Sequence, residues 1–168
     1  MAKMEKFNAL KSEVLKNGGF YLRFYFDMHA GNAPALQDIM VGFVGKLTNE
    51  EGVRFAVGEV DEPIAYEGLF STTARVSMLV NDFPTLARLT INYAPIGIEI
   101  EEPTDIRMPS SELQAGLIGI AATAQELSHH ILTRAMSPEE KKTFEKQMAH
   151  RAELGRRLVG EQEKQGSQ

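Results

Sequence analysis

Hydrophobic and polar positions along this chain change period several times, and each change marks a boundary. Met4, Phe7, Leu10, Val14 and Leu15 recur at helical spacing and Asn17-Gly18-Gly19 follows as a stop, which predicts a helix over residues 2–16. From Phe20 the period becomes two. Phe20, Leu22, Phe24, Phe26 and Met28 alternate with Tyr21, Arg23, Tyr25, Asp27 and His29, the pattern of a half-buried strand. Ala30-Gly31-Asn32-Ala33-Pro34 turns the chain into a second helix, whose apolar face is Leu36, Ile39, Met40, Phe43, Val44 and Leu47 and which stops at Asn49–Gly52. Val53, Phe55 and Val57 open a second strand, and Pro63 and Gly68 bracket a loop. Ala74, Val76, Met78 and Val80 form one face of a third strand. Asn81-Asp82 with Pro84 starts a short helix carrying Leu86, Leu89 and Tyr93. Ile96, Ile98 and Ile100, alternating with Gly97, Glu99 and Glu101, make a fourth strand.

The order over residues 20–102 is β-α-β-β-α-β. It predicts an α+β fold of the ferredoxin-like βαββαβ kind, an antiparallel sheet with a short N-terminal helix before it. After a linker from Pro103 to Pro109, one long helix is expected over residues 111–136. Ser137-Pro138-Glu139-Glu140 then starts another, with Ser at the cap, Pro in the first position and acids in the first turn. The expected organisation is a sheet domain over residues 1–105 and a C-terminal two-helix extension over residues 106–168.

Composition narrows the chemistry. Cysteine is absent, so disulfides, thiolate zinc sites, iron–sulfur clusters and cysteine nucleophiles are excluded. Four histidines remain, and no nucleophile elbow, phosphate loop or dinucleotide fingerprint occurs. The net charge of −5 is concentrated: residues 50–105 hold eleven acids and three bases, whereas residues 106–168 hold eight acids and nine bases. An acidic surface repels nucleic acid. Tyr21, Arg23 and Tyr25 on an open sheet face suit RNA stacking, but the third strand offers only Thr73, Arg75 and Ser77 beside them. Contact with another element or subunit, with Arg23 or Arg75 paired to Glu99 or Glu101, fits that face better. The start Met1-Ala2-Lys3-Met4-Glu5-Lys6 lacks an apolar leader and no run approaches the ~18 apolar residues of a membrane span. A cytoplasmic protein without nucleic-acid or membrane partners is expected.

Two clusters are candidate sites. With the third strand lying between the first two, the ends of strands one and two reach the same sheet edge and place Asp27, His29, Glu59, Asp61 and Glu62 along one rim, with Glu67 in the adjoining hairpin; Asp27, His29, Glu59 and Asp61 are the candidate metal ligands. Carboxylates with an imidazole suit a divalent cation, although one intervening strand starts the two groups ~9–10 Å apart. The simpler reading is a polar rim. The loop holding Gly31 and Asn32, beside Asp27 and His29, leads into a helix N-terminus, where free amides suit an anion or a ligand carboxylate. In its element order and in Gly31 at this junction the chain resembles small-molecule-sensing ACT domains, with Pro34 lying apart from Gly31 where those domains pair Pro with Gly. The segments Gly58-Glu59-Val60-Asp61, Asp82-Phe83 and Gly97-Ile98-Glu99-Ile100 resemble small archaeal ferredoxin-like domains of unknown function. Both resemblances imply a fold and a style of assembly more than an activity.

A third feature is the helix over residues 111–136. Ala115, Gly116, Gly119, Ala121, Ala122 and Ala124 are interleaved with Leu113, Leu117, Ile118, Ile120, Leu127, Ile131 and Leu132, so the helix is apolar almost all round. Glycine inside a helix costs about 0.5–1 kcal/mol relative to alanine, so Gly116 and Gly119 imply close packing. One small sheet domain supplies little cover for such a helix, and an intersubunit helical bundle is expected. Glu126 with His129 and His130 is half of a di-iron bundle motif, with no second copy in the chain. The leading expectation is a non-catalytic homo-oligomeric regulatory, ligand-sensing or assembly module. The alternative is a small metal-binding protein or enzyme using the Asp27/His29 rim, with a divalent cation as its cofactor.

Overall fold

The computed structural model describes residues 2–165. Its elements are α1 (Ala2–Lys16), β1 (Phe20–Ala30), α2 (Ala33–Thr48), β2 (Val53–Val60), β3 (Ile64–Tyr66), β4 (Leu69–Val80), α3 (Phe83–Tyr93), β5 (Gly97–Glu102), α4 (Ser110–Ala135) and α5 (Pro138–Gln165). The sheet runs β2-β4-β1-β5, with β3 paired to β4, and its ladders are antiparallel. The fold is α+β, and the order of the four long strands is that of a split βαβ sheet. The segment expected as a loop between Pro63 and Gly68 contains β3. Glu67 and Gly68, with φ of 47° and 82°, turn it directly into β4. Two consecutive residues at positive φ make the tight hairpin turn that carries Tyr66 opposite Leu69.

Local chemistry accounts for the boundaries. Gly18, at φ 88°, ends α1 in a conformation that costs glycine nothing, and the Gly19 amide donates back to the Val14 carbonyl. Asn32 caps α2 by accepting from the Ala35 amide at 2.9 Å. Asp82 caps α3 by accepting from the Thr85 amide at 2.9 Å, with Pro84 in the first turn.

Period-two alternation in β1 and β4 divides the sheet into two faces. Phe20, Leu22, Phe24, Phe26, Ala74, Val76, Met78 and Val80 are buried toward Met40, Val44 and Leu47 of α2 and Leu86 and Leu89 of α3. Burial of large side chains contributes about 1.5–3 kcal/mol each, so this layer dominates the stability of the sheet domain. The other face is partly covered by α1. The Phe7 ring meets Tyr21 edge-on at 5.8 Å and Phe55 at 4.8 Å, and Val14 and Leu79 are buried. Phe55 reaches this face because the register of β2 slips between Val53, opposite Val80, and Phe55, opposite Leu79. The extra residue reverses the alternation and turns an aromatic toward α1. Tyr21 therefore meets another element of the same chain.

The chain divides into two compact units, one ending at Thr123 and one beginning at Ala124. In the first, α4 approaches α3 through Gly116, where an added Cβ would lie 2.3 Å from the Phe83 ring. Glu112 accepts from the Phe83 amide at 3.0 Å, adding a second carboxylate to the α3 N-terminus. The close approach implied by Gly116 is thus made within the chain. In the second, the His129 ring stacks on Phe144 at 5.4 Å. Ser137 and Glu140 form a reciprocal cap: the Ser137 amide donates to Glu140 at 2.8 Å and the Glu140 amide to Ser137 Oγ at 3.4 Å. The Ser137 backbone hydrogen bond, then its hydroxyl, hold the Glu140 carboxyl below its ordinary range.

Candidate functional site

Three places in the structure gather the residues that carry chemistry: the sheet rim, a cleft beside α3, and the outer side of α4.

At the rim, β4 lies between β1 and β2, and the cross-strand register sets every neighbour. Asp27 stands opposite Thr73, and Glu59 stands opposite Arg75. His29, two residues beyond Asp27 and so on the same face, approaches its carboxylate at 3.3 Å. The His29 ring also lies 6.2 Å from that of Tyr66 on the β3–β4 hairpin. Arg75 takes the other two acids: its guanidinium lies 3.2 Å from Asp61 and 3.8 Å from Glu59. Asp61 also accepts from the Thr73 hydroxyl. The four residues predicted as cation ligands therefore fall into two pairs, Asp27 with His29 and Glu59 with Asp61, the second held by a cation of the protein itself. Among the described residues, no group of three or more histidines or carboxylates is placed to hold a metal ion.

Gly31 and Asn32 lie at the β1–α2 turn as the sequence implies. A Cβ at Gly31 would have nothing within 4 Å, so neither space nor a positive φ demands glycine there. The Asn32 side chain is committed to capping α2.

Further along the same face, Arg23 links Tyr25, Glu99 and Glu101. It donates to the Tyr25 hydroxyl and to Glu99, both at 3.3 Å, and lies 2.7 Å from Glu101. The Tyr25 hydrogen bond and then the glutamates raise the guanidinium pKa further. Pairing of Arg23 with Glu99 and Glu101 was legible in the alternation of β1 and β5. The partners of Arg75 at the end of β2 were not, because they follow from the cross-strand register, which leaves no local signature.

The cleft beside α3 has a volume of about 510 Å³, within the ~300–1,000 Å³ of small-molecule sites. The α2–β2 turn (Glu51, Gly52), the start of α3 (Asp82, Thr85, Arg88) and the small residues Ala115, Gly119 and Ala122 of α4 line it. Gly52 is obligatory: its φ is 85°, and a Cβ would sit 2.6 Å from Thr85 Oγ1. One wall is fixed by a network spanning distant parts of the chain. Arg88 donates to Glu50 at 2.6 Å and to the Glu51 carbonyl, while the Tyr93 hydroxyl donates to Glu50 at 2.7 Å. The Tyr93 and Arg88 hydrogen bonds hold the Glu50 carboxyl below its ordinary range. Burial, and then Glu50, push the Tyr93 hydroxyl up to about 12. No local spacing announces this network, since its members are 38 and 43 residues apart.

The outer side of α4 is apolar and uncovered. Leu117 is 53 % exposed, Leu127 59 % and Ile131 61 %, and Ile118, on another side of the helix, is 69 % exposed. Among the described residues, Glu126 and His129 of the di-iron half motif do not gather with two further ligands, and the His129 ring stacks on Phe144. No helix among the described residues is long and apolar enough to cross a membrane.

These features define an α+β domain with a split βαβ sheet, helices on one face and α1 on the other, followed by two long helices. The chain belongs to the MJ0538 family, an archaeal family of unknown function, whose model matches residues 21–151. That match runs from β1 through α4 into α5, so the helices after the sheet are part of what the family shares. No curated protein and no solved structure matches the chain.

Proposed function

We propose that this protein is a non-catalytic, self-associating module of the regulatory or assembly type, in which α4 joins copies of the chain. The carrying observation is the exposure of α4. Its leucines and isoleucines stand open along a 26-residue helix, whereas Leu22 of β1 and Leu79 of β4 are buried. Soluble chains seldom leave a contiguous apolar surface of this extent without a partner to cover it. The inclusion of α4 in the family match supports the reading, because the apolar helix belongs to the shared unit. The rim and the cleft are, on this reading, recognition surfaces presented by the assembly. Arg75 holds Glu59 and Asp61, His29 lies against Asp27, Arg88 holds Glu50 and the Thr85 amide donates to Asp82, so these carboxylates are not arranged around a reacting centre.

Light scattering on the full chain at micromolar concentration tests the proposal. A mass of two or more chains is expected, and a mass of one chain contradicts it.

A further inference from the structure

We infer that two copies of this chain pair α4 against α4 in antiparallel, around a two-fold axis near residue 122, through a seam of Leu113, Leu117, Ile120, Ala124, Leu127 and Ile131. The inference rests on the self-association proposed above and specifies its geometry.

Spacing is the first argument. These six residues follow one another at alternating steps of four and three along α4, a 3.5-residue repeat over nearly three heptads. Such a repeat keeps one line of side chains facing a second helix as the two wind together. All six are exposed, from 37 % at Ile120 to 61 % at Ile131 among the five larger ones. The residues by which α4 meets its own chain lie off this line: Gly116 against Phe83, and His129 against Phe144.

Charge and area favour a second copy as the occupant. The positions flanking a heptad seam normally carry the charges that select a partner. Here they are Gln114, Gly116, Ala121, Thr123, Ser128 and His130, with no Lys, Arg, Asp or Glu among them. Identical helices therefore meet without like-charge repulsion, and nothing on the seam calls for an oppositely charged partner. The five larger seam residues expose on the order of 400 Å² of apolar area per copy. Two copies thus bury on the order of 800 Å² of apolar area between them along the seam alone, in the lower range of protein–protein interfaces.

The direction follows from the layers. In an antiparallel pair centred near residue 122, Leu113 meets Ile131 of the partner subunit, Leu117 meets Leu127 of the partner subunit, and Ile120 meets Ala124 of the partner subunit. Each layer then combines one a position with one d position, and the small Ala124 sits beside the larger isoleucine twice. A parallel pair would stack Ala124 on its own copy, leaving a void in the middle of the seam, and would align like ends of two helix dipoles.

The absence of cysteine gives a direct test. Full-length Leu117→Cys and Leu127→Cys chains are prepared separately and oxidised alone and as a mixture. Within one helix these positions are about 15 Å apart, too far for an internal disulfide. The mixture is expected to form a cross-linked dimer joining one chain of each kind, and Leu117→Cys alone to remain uncross-linked. Ile120→Cys mixed with Ala124→Cys, the second facing pair, is expected to behave in the same way. Cross-linking of Leu117→Cys alone overturns the antiparallel geometry. Failure of both mixtures to cross-link, with light scattering still showing a dimer, overturns the seam while leaving self-association intact. A monomeric wild-type chain overturns both.

Discussion

β1 and α4 both carry a line of large apolar residues, and the two lines meet opposite fates. Leu22 of β1 is fully buried, whereas Leu117 of α4 is 53 % exposed. The difference lies in their neighbours rather than in the residues. β1 is central in the sheet, with β4 and β5 on its two sides and α2 and α3 over its apolar face. α4 follows a sheet domain whose apolar face is already filled, and it meets that domain through a glycine instead of a large side chain. Hydrophobicity drives burial only where the topology supplies a covering surface.

The sharpest way to break this comparison is to truncate one residue in each region. Phe24→Ala removes a fully buried ring, and a loss of about 3–5 kcal/mol is expected in urea unfolding. Leu117→Ala is expected to cost the isolated chain less than about 0.5 kcal/mol, as an exposed substitution does. Its effect should appear instead as a lower association constant. Equal losses of chain stability from the two substitutions would show that α4 is buried within its own subunit.

A smaller effect is expected where α4 meets α3. Gly116→Val forces atoms against the Phe83 ring, and about 1–3 kcal/mol of stability should be lost. Far-ultraviolet circular dichroism during thermal unfolding reads this directly, and an unchanged midpoint would remove Gly116 as the point of contact.

The smallest effect is in the pH profile of the sheet domain. Glu50 has a depressed pKa in the folded chain, so its contribution is complete above its ordinary value near 4.5 and is lost as pH falls through the folded value. Tyr93 has a raised one, so its contribution is complete below pH 10 and is lost as pH rises toward about 12. Unfolding free energy measured across this range should fall at both ends. Tyr93→Phe should flatten the alkaline limb, and an alkaline limb of unchanged slope in that variant would rule Tyr93 out as its source.

Much of the fold was legible in the sequence, because one physical signal dominated each element. Period-two alternation located β1 to within one residue, and Asp82 and Ser137 were recognisable as caps. β3 was hidden because its three residues are too few to show a period. The reversal of Phe55 was hidden because a bulge leaves no mark in composition. Asp27 and Asp61 lie on either side of Thr73. The pairing of Glu59 with Asp61 depended on Arg75, which acts across strands and carries no local signature. The network of Glu50, Arg88 and Tyr93 was illegible for the same reason. The exposure of α4 was anticipated from an imbalance between its apolar surface and the cover one small domain provides. Which residues make its seam emerged only when Gly116 and His129 were seen to face their own chain.

The central claim is that the open side of α4 is an interface between copies of the chain. Sedimentation equilibrium of the wild type beside Ile120→Glu and Ile118→Glu tests it most directly, since Ile120 lies on the seam and Ile118 on another side of the same helix. The account predicts a dimer for the wild type and for Ile118→Glu, and a folded monomer for Ile120→Glu. A monomeric wild type, or an Ile120→Glu chain that still sediments as a dimer, would contradict it.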